Sequence, residues 1–155
     1  MKFYNLFIAF FPLSLITILG YFFPINPNQF KPIFQPPNWV FGLVWPFLLL
    51  SFGIVSSLVI KKIKIFYLII LSLLAIWLIF NYYQKYKLSF IILLKSVFWT
   101  TLYLCYLIYI GYPKLAIFIL PLLFWLVYAS CLNGVIYQYY THKATDDNTI
   151  PIRIN

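Results

Sequence analysis

Hydrophobic positions in this chain fall into five long runs, about residues 3–23, 38–60, 65–83, 88–110 and 115–140. The runs are apolar on all sides and lack the period-two alternation of a half-buried strand, which predicts helices. Each is close to the ~20 residues a helix needs to cross a bilayer. Pro24 ends the first run, and Ile25 to Pro37 form a proline-rich loop too polar for lipid. Lys61, Lys62 and Lys64 close the second run, Gln84 to Lys87 the third, and Gly111-Tyr112-Pro113-Lys114 the fourth. The expected fold is an all-α integral membrane protein, a five transmembrane helix bundle over residues 1–140. Residues 141–155, with Asp146 and Asp147, are expected to be a polar, disordered tail.

Composition changes this picture in three ways. A hydrophobic fraction of 65% and a mean hydropathy of +0.96 exceed what a soluble domain of this size shows, so several membrane crossings are required. The first run continues to Phe23 without a small-residue cleavage site, which favours a retained span over a cleaved leader. Aromatic residues, at 23%, are more than two interfacial girdles need, so some should line interior space.

The net charge of +9 suits loops beside anionic lipid and calls for no nucleic acid. Its distribution does not orient the chain. Lys2, Lys61, Lys62, Lys64 and Lys114 fall on one side, and Lys31, Lys85, Lys87, Lys143 and Arg153 on the other. The membrane that holds the protein is equally open. Cys105 and Cys131 lie in apolar runs without metal or redox spacing and read as small packing residues.

The spans contain no Asp, Glu or His, and His142 lies beyond the last of them. Paired carboxylates, a metal site or an acidic proton relay therefore have almost no residues to run on; no cofactor is expected, and enzymatic catalysis is the less favoured reading. What the spans offer is aromatic surface with a few amides and hydroxyls, which is the chemistry of binding a flat apolar ligand. Lys31 to Trp45, KPIFQPPNWVFGLVW, concentrates it. Lys31, Pro36 and Pro37 belong to the loop rim, Asn38 is placed to cap the next helix, and Trp39, Phe41 and Trp45 occupy its first turns. Trp39 also fits a plain interfacial belt. Trp125, Ala129 and Asn133, spaced i, i+4 and i+8, share one helix face that either lines a cavity or packs on span two. Gly53 and Ser57, like Ser130 and Gly134, are small-residue pairs that allow close helix approach. Lys95, inside span four, either snorkels to an interface or meets a ligand carboxylate. Leu132, Tyr137 and Lys143 satisfy a loose pattern proposed for cholesterol contact.

The sequence KP, then PP-x-WVF-G, then VW resembles the signature of the TspO/MBR family, the tryptophan-rich sensory proteins and translocator proteins. A second match, Leu120-Pro121, Trp125, Ala129 and Leu132-Asn133, resembles that family's LP-x-x-x-W-x-x-x-A-x-x-LN run in the same order. The resemblance implies a ligand pocket built from Trp39, Phe41, Trp45, Trp77, Trp125, Ala129 and Asn133. It implies tetrapyrroles or sterols as ligands, a role in their transport or in signalling, and a homodimer formed through small-residue faces. Departures accompany it. Ile25 and Asn26 replace a Trp-Tyr pair tied to porphyrin breakdown, and Ile70, Leu74 and Leu49 replace polar pocket residues. Gly134 and Gln138 replace the tyrosine and arginine of the sterol segment. The expected pocket is therefore drier than the family's. A porphyrin-degrading enzyme and a membrane scaffold with a decayed pocket are the rival readings.

Overall fold

The computed structural model describes residues 3–149, and all their regular structure is helical. The helices are α1 (Phe3–Phe22), α2 (Asn38–Tyr82), α3 (Tyr86–Tyr109), α4 (Pro113–Ile117) and α5 (Leu120–Thr149). Among the described residues four helical stretches are long and apolar enough to cross a membrane: α1, α2, α3 and Pro113–Ala144. Lys2 and Arg153, which entered the charge comparison, lie outside the described residues.

The second and third runs join in one 45-residue helix, where a break was expected at Lys61 to Lys64. Lysine is a good helix former, so those charges mark a membrane end without interrupting the backbone. The single departure is Val59, at φ −125° and ψ 15°. At ~1.5 Å rise per residue a straight helix would hold Trp45 and Trp77 ~48 Å apart. Their rings instead lie 5.6 Å apart, and those of Phe52 and Tyr67 5.5 Å apart. Helix α2 thus doubles back at Val59 into two antiparallel arms, 38–58 and 60–82. The Lys62 ammonium lies 5.2 Å from the Tyr112 ring centre, so the bend and the α3–α4 turn share one end of the molecule.

Proline and glycine set how α1 seats on these arms. Pro12 has no N–H, which deprives the Ile8 carbonyl of its helical donor. The Tyr67 hydroxyl supplies one from the second arm, at 3.0 Å. On the first arm, a Cβ at Gly53 would overlap the Ala9 carbonyl, so only glycine permits this approach. The Ser130/Gly134 pair is also used within the chain: Ser130 donates to the Leu126 carbonyl, and Gly134 faces the Phe90 ring. Both small-residue pairs thus serve packing within the chain.

The α2–α3 and α3–α4 turns close in the same way. Gln84 (φ 56°) and Gly111 (φ 86°) take the left-handed conformation. The Lys85 N–H reaches the Phe80 carbonyl and the Tyr112 N–H the Leu107 carbonyl, the six-to-one bond of a Schellman cap. This cap ends α2 just beyond Asn81. Two further expectations change. Residues 141–149 continue α5 as helix, since no proline or glycine interrupts it. Cys105 and Cys131 are exposed on outer faces, where no packing role holds them.

Replacing Gly53 by alanine is expected to destabilise the protein by ~1–3 kcal/mol through overpacking against the α1 backbone. Gly42→Ala, where an added Cβ meets nothing within 4 Å, should not destabilise it. Thermal unfolding in detergent tests the contrast, and equal midpoints for the two variants would refute the α1 packing.

Candidate functional site

Between α1, both arms of α2 and α5 lies a cavity of about 400 Å³, roofed by the loop of residues 23–37. The roof is tied to α5 at three points. Phe30 stacks on Tyr139 at 3.9 Å between ring centres, and its N–H donates to the Tyr140 hydroxyl at 3.2 Å. The Tyr128 hydroxyl donates to the Phe34 carbonyl at 2.7 Å. Prolines keep the loop extended enough to span from α1 to α5, while local turns close at Gln29 N–H to Asn26 and Gln35 N–H to Pro32.

Aromatic rings form one side of the cavity. Trp45 stacks on Trp77, and both border the space. Phe41, also in the wall, meets Trp125 edge-on at 5.5 Å, and Trp125 in turn meets Trp45 at 89°. Pro46 stands one turn below Phe41 and has no N–H, so the Gly42 carbonyl in the same wall lacks its usual helical donor.

Adjoining Trp77 is a buried amide cluster centred on Asn133. Its Nδ2 donates to the Ala129 carbonyl at 3.0 Å, which turns its Oδ1 toward the neighbouring helices. That oxygen accepts from Ser89 Oγ at 3.0 Å, Asn81 Nδ2 at 3.3 Å and Trp77 Nε1 at 3.4 Å. One side chain thereby links α5, α3 and the second arm of α2. Two polar atoms here have no partner among the described residues, Asn81 Oδ1 and Trp125 Nε1.

Five of the seven residues singled out from sequence, Phe41, Trp45, Trp77, Ala129 and Asn133, border the cavity. Trp125 stands behind Phe41 and Trp45 instead of in the wall. Trp39 is 68% exposed on the outer surface, in keeping with the belt. Lys31 borders the cavity at the rim, whereas Pro36 and Pro37 do not, and Pro37 is the N-cap of α2. Asn38, expected to cap that helix, is its first residue and makes no cap bond. Of the cholesterol-contact pattern, Leu132 is in the wall, Tyr137 stacks on Phe90 of α3, and Lys143 is exposed. Lys95 points outward among exposed Ile91, Leu94 and Phe98, away from the cavity.

The wall is less dry than expected. Of the three apolar replacements, Ile70 and Leu74 are packed in the core, whereas Leu49 borders the space. Amides reach it from elsewhere: Asn26, Gln29 and Gln35 of the loop, Asn38, and Asn81. Asn81 could have been found as a polar residue near the end of an otherwise apolar span, where an amide needs a partner.

A sequence model of the TspO/MBR family matches residues 7–138. The chain belongs to the TspO/MBR family. It is also 30% identical over 118 residues to a protein named Tryptophan-rich protein TspO from Archaeoglobus fulgidus, covering 69% of this chain and 74% of that one. Membership and the apolar helices together make this a multi-pass membrane protein.

Asn133→Leu would strand the donors of Trp77, Asn81 and Ser89, at ~1–3 kcal/mol for each group left unpaired. Denaturation in detergent should therefore show Asn133→Leu well below the parent in stability. Parent-like stability would mean the cluster does not hold the three helices together.

Proposed function

We propose that the protein crosses the membrane five times and binds a rigid apolar ligand, a tetrapyrrole or a sterol, in the loop-roofed cavity. Transport of the ligand or signalling would follow from that binding. The doubled-back α2 supports five crossings, because each arm is ~30 Å long at 1.5 Å per residue and matches the hydrocarbon thickness.

The observation that carries the ligand reading is the cavity itself. At about 400 Å³ it falls within the ~300–1,000 Å³ of small-molecule sites. Its borders combine stacked indoles with a few amides, and Ala129 keeps the α5 side open. The porphyrin-degrading reading draws no support from the wall, where Ile25 and Asn26 occupy the positions of the aromatic pair tied to that activity. Lys31 at the rim offers a cation to a carboxylate on a ligand's outer edge.

Tryptophan-fluorescence quenching by protoporphyrin IX tests the reading. Saturable quenching is expected in the parent. Ala129→Leu, which adds bulk to the wall, should weaken it by about tenfold or more while the helical circular dichroism is unchanged. Non-saturating quenching, or identical titrations of parent and variant, would overturn porphyrin binding in this cavity.

A further inference from the structure

A second hollow, of about 490 Å³, opens at the roof end of the molecule, between the α2–α3 turn and α5. Tyr86 and Tyr140 line it and stack at 4.5 Å between ring centres. Tyr140 also accepts the Phe30 N–H, which sets the hollow level with the loop, where the apolar spans give way to polar residues. Exposed Lys85 and Lys87 line the hollow with Gln84 and Leu88, and among the described residues no acidic side chain does. Lys85 is also the N-cap of α3 and makes no side-chain cap bond, so the N–H groups of the first turn add their partial positive charge.

A third cation approaches from the hydrocarbon side. Lys87, Ile91 and Lys95 follow one another at intervals of four, and all three are exposed on one face of α3. Helical side chains lean toward the N-terminus, so the Lys95 ammonium rises about one turn, ~5.4 Å, toward Lys87. The spans hold no Asp or Glu, so this ammonium finds its counter-charge outside them. Beside it, exposed Leu88, Ile91 and Leu94 form an apolar strip that runs from the hollow along the outer surface of α3.

The geometry points to a binding site for an anionic phospholipid. Its phosphate sits in the hollow against Lys85 and Lys87, Lys95 meets it from below, and its acyl chains lie along Leu88, Ile91 and Leu94. Lysine engages phosphate as a compact point charge, which suits a headgroup held by charge at a membrane surface. The apolar strip selects a lipid over free phosphate, because only a lipid fills both the hollow and the strip. The site lies apart from the loop-roofed cavity and does not depend on what that cavity binds.

Native mass spectrometry of the full-length protein in detergent, supplied with equimolar phosphatidylglycerol and phosphatidylcholine, reads the preference. The parent should retain phosphatidylglycerol over phosphatidylcholine by about tenfold or more. Lys85→Gln/Lys87→Gln should lower that preference by about fivefold for each lysine removed, and Lys95→Gln by a similar factor, with helical circular dichroism unchanged. Lys61→Gln/Lys64→Gln, at the bend end, should lower it far less, and inorganic phosphate in excess should not displace the lipid. No preference in the parent would overturn the inference whatever the variants do. So would a preference that survives Lys85→Gln/Lys87→Gln, or an equal loss in both double variants, the mark of unspecific attraction. Displacement by inorganic phosphate would overturn the lipid in favour of a free anion, and an unchanged preference in Lys95→Gln would overturn the approach of the third cation.

Discussion

In hydrocarbon a hydrogen-bonding group has no water to turn to and must find its partner within the protein. Much of this structure follows from how that demand is met at a few positions. The Asn133 carbonyl oxygen collects donors from Trp77, Asn81 and Ser89, and so fixes α5 against α3 and the second arm of α2. Pro12 frees a carbonyl on α1, and Tyr67 answers it. Each bond joins helices whose apolar faces alone would pack in several registers. The apolar side chains fill the contacts; the polar ones choose among arrangements.

The same bonds determine where space remains. Asn133 draws the second arm of α2 toward α5, while Gly53 lets α1 close on the bend end of the first arm. At the other end α1, the arms and α5 diverge around Trp45, Trp77 and Ala129, and the loop bridges the gap through Phe30 and Phe34. The cavity is thus bounded by side chains already committed to packing or hydrogen bonds. Such a site is largely pre-formed, which favours a rigid ligand over a flexible chain that would lose more entropy on binding.

Several parts of this arrangement were legible in the sequence. Continuous apolar runs give membrane helices because burial in lipid requires hydrophobicity on every face. The spacing of Ala129 and Asn133 placed them together because helix periodicity is insensitive to what lies opposite. Other features were not legible for equally physical reasons. Lys61 to Lys64 mark polarity, not helix termination, so the bend at Val59 could not be located from charge. Trp39 and Trp45 look equivalent in composition, yet one faces outward and the other faces the cavity, because the rotation of α2 is set by α1 and α5. Asn81 acquires its role only through a turn and two distant helices. Polarity alone did not show that residues 141–149 extend α5, since they contain no proline or glycine; residues 150–155 lie outside the described residues.

Photo-crosslinking with a diazirine-bearing sterol in lipid nanodiscs, followed by peptide mapping, tests most directly whether this cavity is a ligand site. Adducts on the segments carrying Phe30, Trp45 and Ile136, competed by unlabelled cholesterol, are the predicted result. Adducts confined to outward-facing residues such as Phe98 and Phe124, and insensitive to competitor, would contradict it.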